Sequence, residues 1–131
     1  MNKLTGHWLG VYWQSDRPTR FDMDLTELDG IVTGIIRDHG PLGSATLSGN
    51  RSSTGLRFQK RYLVHLGRID YQGSLSSDGL TLTGRWWFPN DYGRPDPWSG
   101  TWQAERDPGA VGREEVEIED CLTPEESFSA D

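Results

Sequence analysis

Cysteine is nearly missing from this chain. Cys121 is its one thiol in 131 residues, so no internal disulfide can staple the fold, and a reducing, cytoplasmic setting is expected. Long apolar runs are missing too. No stretch approaches the roughly 18 residues that mark a membrane helix, and Met1-Asn2-Lys3-Leu4-Thr5-Gly6-His7 has no apolar segment of the secretory kind. No membrane partner is therefore expected. Basic charge is in deficit: 13 Lys and Arg stand against 20 Asp and Glu, a net of −7. A polyanion is poorly matched to such a chain, and no nucleic-acid partner is expected. Nucleophile-elbow, P-loop and dinucleotide-binding patterns are all lacking. His7, His39 and His65 share no close ligand spacing, so no metal site is expected, and no cofactor is specified.

The acidic excess is not spread evenly. Residues 1–106 hold 12 basic and 11 acidic side chains, whereas residues 107–131 hold one base, Arg113, and nine acids. Asp107-Pro108-Gly109 is a turn signal at that change of composition. The reading is a near-neutral domain over 1–106 and an acidic tail over 107–131. Within the tail, Glu114-Glu115-Val116-Glu117-Ile118-Glu119-Asp120 alternates acid with β-branched residue. Residues 113–120 thus fit either a strand added to a protein partner's sheet or a chain kept extended by self-repulsion. Cys121, set among acids, is a poor thiolate and a poor nucleophile.

What the chain has in quantity is glycine, 16 residues, with six Trp, four Tyr and four Phe. Eight segments alternate with a period of two: Leu4–Trp13, Arg20–Leu28, Ile31–Arg37, Ser44–Gly49, Leu56–Val64, Arg68–Leu75, Leu80–Phe88 and Trp98–Glu105. Asp29-Gly30 and Asp78-Gly79 are tight hairpin turns between them. Short links make sequence neighbours antiparallel neighbours in space. Eight such strands leave two open edges unless the last closes on the first, which gives an all-β, up-and-down barrel. The long loop Pro89–Pro97, with three prolines, is either a stiff lid or a surface excursion.

Three patches then suggest a family. Gly6-His7-Trp8 resembles the G-x-W element of calycins, the lipocalin and avidin-like superfamily of eight-stranded barrels. Asp29-Gly30-Ile31-Val32-Thr33-Gly34 resembles an avidin-like turn and strand, and Trp98-Ser99-Gly100-Thr101-Trp102 is similar to the W-S-G-x-aromatic pattern of those proteins. The resemblance implies a calycin-like barrel over residues 4–106. It does not extend to a biotin site, nor to lipocalin disulfides. It also implies a late arginine packed across the G-x-W tryptophan, which makes Trp8 and Arg106 a structural plug of one barrel end. Haem bound by one histidine occurs in such barrels, and His65 or His39 is placed for it, although a solvated histidine is the simpler reading.

Alternation turns Tyr12, Met23, Leu25, Phe58, Lys60, Tyr62, Tyr71, Trp86 and Trp102 inward. Three tyrosines and a lysine suit a filled core badly, since buried polar groups need partners. The candidate ligand-binding set is therefore Tyr12, Phe58, Lys60, Tyr62, Tyr71, Trp86 and Trp102, around a partly apolar or anionic small molecule. Lys60 has other outlets. It can pair with Glu27 or Asp38 or reach a barrel mouth, and a register slip of one residue sends it outside. Three functions stay open: a non-enzymatic binding barrel, an isomerase or hydrolase using Tyr62, Tyr71 or Lys60 as acid–base groups, and a filled barrel acting through its surface or tail. Outward Trp13 and Trp87 suggest a homodimer surface.

Overall fold

The alternating segments form eight strands: β1 (Gly6–Gln14), β2 (Arg17–Leu28), β3 (Ile31–Asp38), β4 (Ser44–Arg51), β5 (Gly55–Tyr62), β6 (Arg68–Leu75), β7 (Thr81–Trp87) and β8 (Ser99–Arg106). They are seen in a computed structural model that describes residues 3–64, 67–89 and 98–108. The tail from residue 109, most of the proline-rich loop, His65 and Cys121 lie outside the described residues. Every strand pairs antiparallel with its sequence neighbours, and β8 closes on β1 from Trp8↔Arg106 to Trp13↔Thr101. The barrel is thus shut, and among the described strands no edge is left unpaired.

The register matches the alternation. Trp8, Phe21, Met23, Leu25, Val32, Ile36, Leu47, Leu56, Phe58, Tyr71, Leu82, Trp86 and Trp102 are all buried in one core. In the β2–β3 hairpin, Asp29 and Gly30 both take positive φ, 54° and 80°, as a two-residue turn matched to strand twist requires. Gly100 leaves room for the Trp86 ring. A Cβ placed there would lie 2.6 Å from the indole nitrogen and 2.1 Å from the Trp13 carbonyl oxygen.

Most strand ends differ from the sequence reading by one to three residues, and three of these shifts have a clear physical reason. Strand β2 starts at Arg17, not Arg20, because residues 17–20 pair with β1 alone; Pro18 is tolerated where β3 has not yet joined. Strand β3 runs on to Asp38, which pairs with Phe21. Strand β5 stops at Tyr62, so Val64, expected to face inward, is 80 % exposed.

One barrel end is closed by residues Lys3–Thr5. Leu4 and Trp8 are fully buried there, and the Trp8 indole N–H donates to the Leu4 carbonyl at 2.9 Å. The Arg106 guanidinium lies 4.6 Å from the Trp8 ring centre. It donates to the carbonyls of Gly79 at 2.9 Å, Thr5 at 3.0 Å and Lys3. Glu27 accepts from the Leu4 amide at 2.8 Å and pairs with Arg51 at 2.9 Å. A cation–π contact of this kind is worth about 1 kcal/mol, and the three carbonyls fix the guanidinium over the ring.

Candidate functional site

The interior is layered along the barrel axis. Above the Trp8 plug, Met23, Leu25, Ile36 and Leu82 fill the lower barrel, all nearly inaccessible. The next layer is aromatic. Phe58 and Tyr71 stack at 4.8 Å, and Trp102 meets both edge-on at 5.9 and 5.6 Å. The Trp102 indole N–H donates to the Gln72 carbonyl at 3.0 Å. Phe58 and Trp102 therefore belong to the solid core and do not reach the open end.

Above that layer sits a charged knot. The Lys60 ammonium is wholly buried and donates to Asp38 Oδ1 at 2.9 Å and Oδ2 at 3.3 Å. Tyr12 and Tyr62 each donate their hydroxyl to Asp38 Oδ2, at 2.9 and 2.6 Å. The same ammonium lies 4.7, 4.6 and 5.6 Å from the rings of Tyr12, Tyr62 and Tyr71. Three π faces and a carboxylate make a cation cage, and the protein's own lysine occupies it. Lys60 thus faces inward, but its charge is already matched, and the expectation that an anionic ligand neutralises it loses its ground.

Burial governs the ionisation of the knot. It pushes Lys60 down from the ordinary lysine value, against the pull of Asp38. Burial pushes Tyr12 and Tyr71 up, and Tyr62 far up, the last with its hydrogen bond to Asp38 acting in the same direction.

The other barrel end is open among the described residues. A recess of about 270 Å³ lies between the ends of β1, β5, β6 and β7, walled by Tyr12, Tyr62, Tyr71, Trp86 and Phe88. Ile69, Leu42 and Gln14 complete the wall, and Arg68 stands at the rim. Trp86 is held by its indole N–H to the Trp13 carbonyl at 3.0 Å and lies edge-on to Tyr12 and Phe88. Of the seven residues expected to bind ligand, Tyr12, Tyr62, Tyr71 and Trp86 meet here, Lys60 lies beneath them, and Phe58 and Trp102 do not take part.

Sequence reasoning left Asp38, Arg68, Leu42, Ile69, Gln14 and Phe88 out of the site. Asp38 had been named only as one possible partner of Lys60. The period Val32, Gly34, Ile36, Asp38 carries the inward signal one step past the expected end of the strand. Arg68 Nε is buried without a hydrogen-bond acceptor, its nearest carboxylate being Asp70 at 3.5 Å.

On the outer wall, His7 is held between Asp24 at 2.6 Å and Asp22 at 3.5 Å, and Arg37 bridges the same two carboxylates. Burial opposes ionisation of Asp24, yet hydrogen bonds from Arg37 and His7 hold it below the ordinary carboxylate value. Both Asp22 and Asp24 are thus ion-paired. Among the described residues no cluster of His, Cys, Asp and Glu could hold a metal ion, and no helix is long and apolar enough to cross a membrane.

No protein-family model matches the chain, and no match is found among curated proteins.

Proposed function

We propose that the chain is a non-enzymatic binding barrel of calycin-like architecture, its domain spanning residues 1–106, which takes one small, flat, largely apolar molecule into its aromatic mouth. The observation that carries this reading is the recess at the open end. It is walled by five aromatic rings and floored by a knot whose hydrogen bonds are already made. Ligand sites of this kind are apolar concavities with a few placed polar groups. At about 270 Å³ the recess suits a molecule of one or two rings. An acidic group on that molecule would find the Arg68 guanidinium at the rim rather than Lys60. The closed opposite end, under Trp8 and Arg106, leaves the mouth as the entrance.

Acid–base catalysis by the tyrosines is disfavoured by the same geometry. The Tyr12 and Tyr62 hydroxyls are committed to Asp38, and burial lifts all three phenols away from neutrality.

Calorimetric titration of the full chain with naphthoate, a flat aromatic carboxylate, tests the reading. The expected result is saturation at one molecule per chain. Binding is lost in Ile69→Trp, which fills the mouth, and weakened in Arg68→Gln. Absence of saturable heat, or equal heat from wild type and Ile69→Trp, overturns it.

A further inference from the structure

The outer wall of the barrel is not electrically uniform. On the solvent face of β5, β6 and β7 lie Arg57, Arg61, Arg68 and Arg85, with Asp70 the one acid among those outward positions. Strand pairing sets them side by side: Arg57 faces Gln72, which faces Arg85, and Arg61 faces Arg68. Arg57, Arg61 and Arg85 are exposed, and no described carboxylate pairs with any of the three. Arg61 and Arg85 make only long hydrogen bonds, to Gln59 at 3.5 Å and Ser99 at 3.4 Å. A groove of about 580 Å³ runs over this wall, bordered by Asn50, Arg57, Gln59, Asp70 and Trp87. The chain as a whole is acidic by seven charges, so a wall of unmatched arginines runs against its own composition.

We propose that this wall is the docking surface for the chain's own acidic segment, residues 113–120. Charge complementarity is the first ground. Glu114, Glu115, Glu117, Glu119 and Asp120 put five carboxylates in seven consecutive residues. Val116 and Ile118 between them suit the half-buried Trp87 in the groove. Reach is the second ground. Arg85 pairs with Thr101, five residues back along β8 from Arg106, and Arg57 lies two strands further round. From Arg106 to Arg57 that is about 17 Å along the strand and, over three strand spacings, about 14 Å around the barrel. The seven residues from Asp107 to Glu114 span at most about 25 Å. Tethering raises the effective concentration of the segment at the wall to about millimolar. The barrel is closed, so the segment has no sheet edge to join, and it meets the wall through side chains.

Cys121, the chain's single thiol, provides the test. A nitroxide placed on Cys121 of the full, isotopically labelled chain should erase the amide signals of Arg57, Gln72 and Arg85 at low salt and spare those of Asp22 and Asp24 on the opposite wall. High salt, or the pair Arg57→Gln and Arg85→Gln, should restore the lost signals. Loss of signal on the opposite wall, or none anywhere, overturns the proposal. Loss that persists when the nitroxide sits on an unlabelled chain mixed with labelled Cys121→Ser chain assigns the wall to a second copy and also overturns it. So does a result in which polyuridylate shifts the Arg57 and Arg85 amides while the nitroxide leaves them untouched, which gives the wall to nucleic acid.

Discussion

A lysine ammonium inside a barrel loses several kcal/mol of hydration, and only a full set of partners makes it tolerable. Lys60 has that set in Asp38 and three tyrosine rings, and Asp38 in turn takes three donors. Removing one member strands the rest. Asp38→Asn and Lys60→Met should each cost about 3–5 kcal/mol in urea unfolding. The double variant should cost clearly less than the two singles together, and additive losses would show that the groups are not coupled. The inward turn of Lys60 was legible in the alternation of β5. Its partner was not, because Asp38 stands beside His39-Gly40-Pro41, a turn signal that hid the last step of β3. Arg68 was illegible as a site residue for a related reason: alternation puts it on the outer wall, and only its place at the strand end brings its long side chain to the rim.

At the scale of the elements, barrel closure depends on the β8–β1 seam, where the Trp86 indole is lodged against Gly100 and bonded to Trp13. Gly100→Val should cost about 1–3 kcal/mol by overpacking. It should also displace Trp86, read as a red shift of the emission of the folded protein. Unchanged stability would mean that the seam has slack. The strands and their order could be read from period-two alternation and from Asp29-Gly30 and Asp78-Gly79. Their ends could not. Alternation continues past the last ladder bond, so Val64 keeps the inward phase while the chain has left the sheet, and Pro18 carries no strand signal of its own although it pairs with β1.

For the molecule as a whole, three of its four tyrosines have folded-state values raised by burial. The unfolded chain releases those protons first as pH rises, so their contribution is complete below the ordinary value of 10.0 and is lost above it. Lys60 works the other way, since its lowered value makes stability rise towards the ordinary 10.5, but it is one group against three. Stability should therefore fall above pH 10, with tyrosinate absorbance appearing together with loss of the fold; a gradual phenol titration in a folded barrel would contradict this.

The central claim, a single entrance at the Tyr12–Trp86 end, is tested most directly through three indole N–H signals in an NMR titration with naphthoate. Trp86 stands at the mouth, Trp102 in the middle of the barrel and Trp8 at the plug, each with its own carbonyl acceptor. The Trp86 signal should move and saturate while that of Trp8 stays fixed and that of Trp102 shifts little. A titration that moves Trp8 first, or none of the three, would contradict the account.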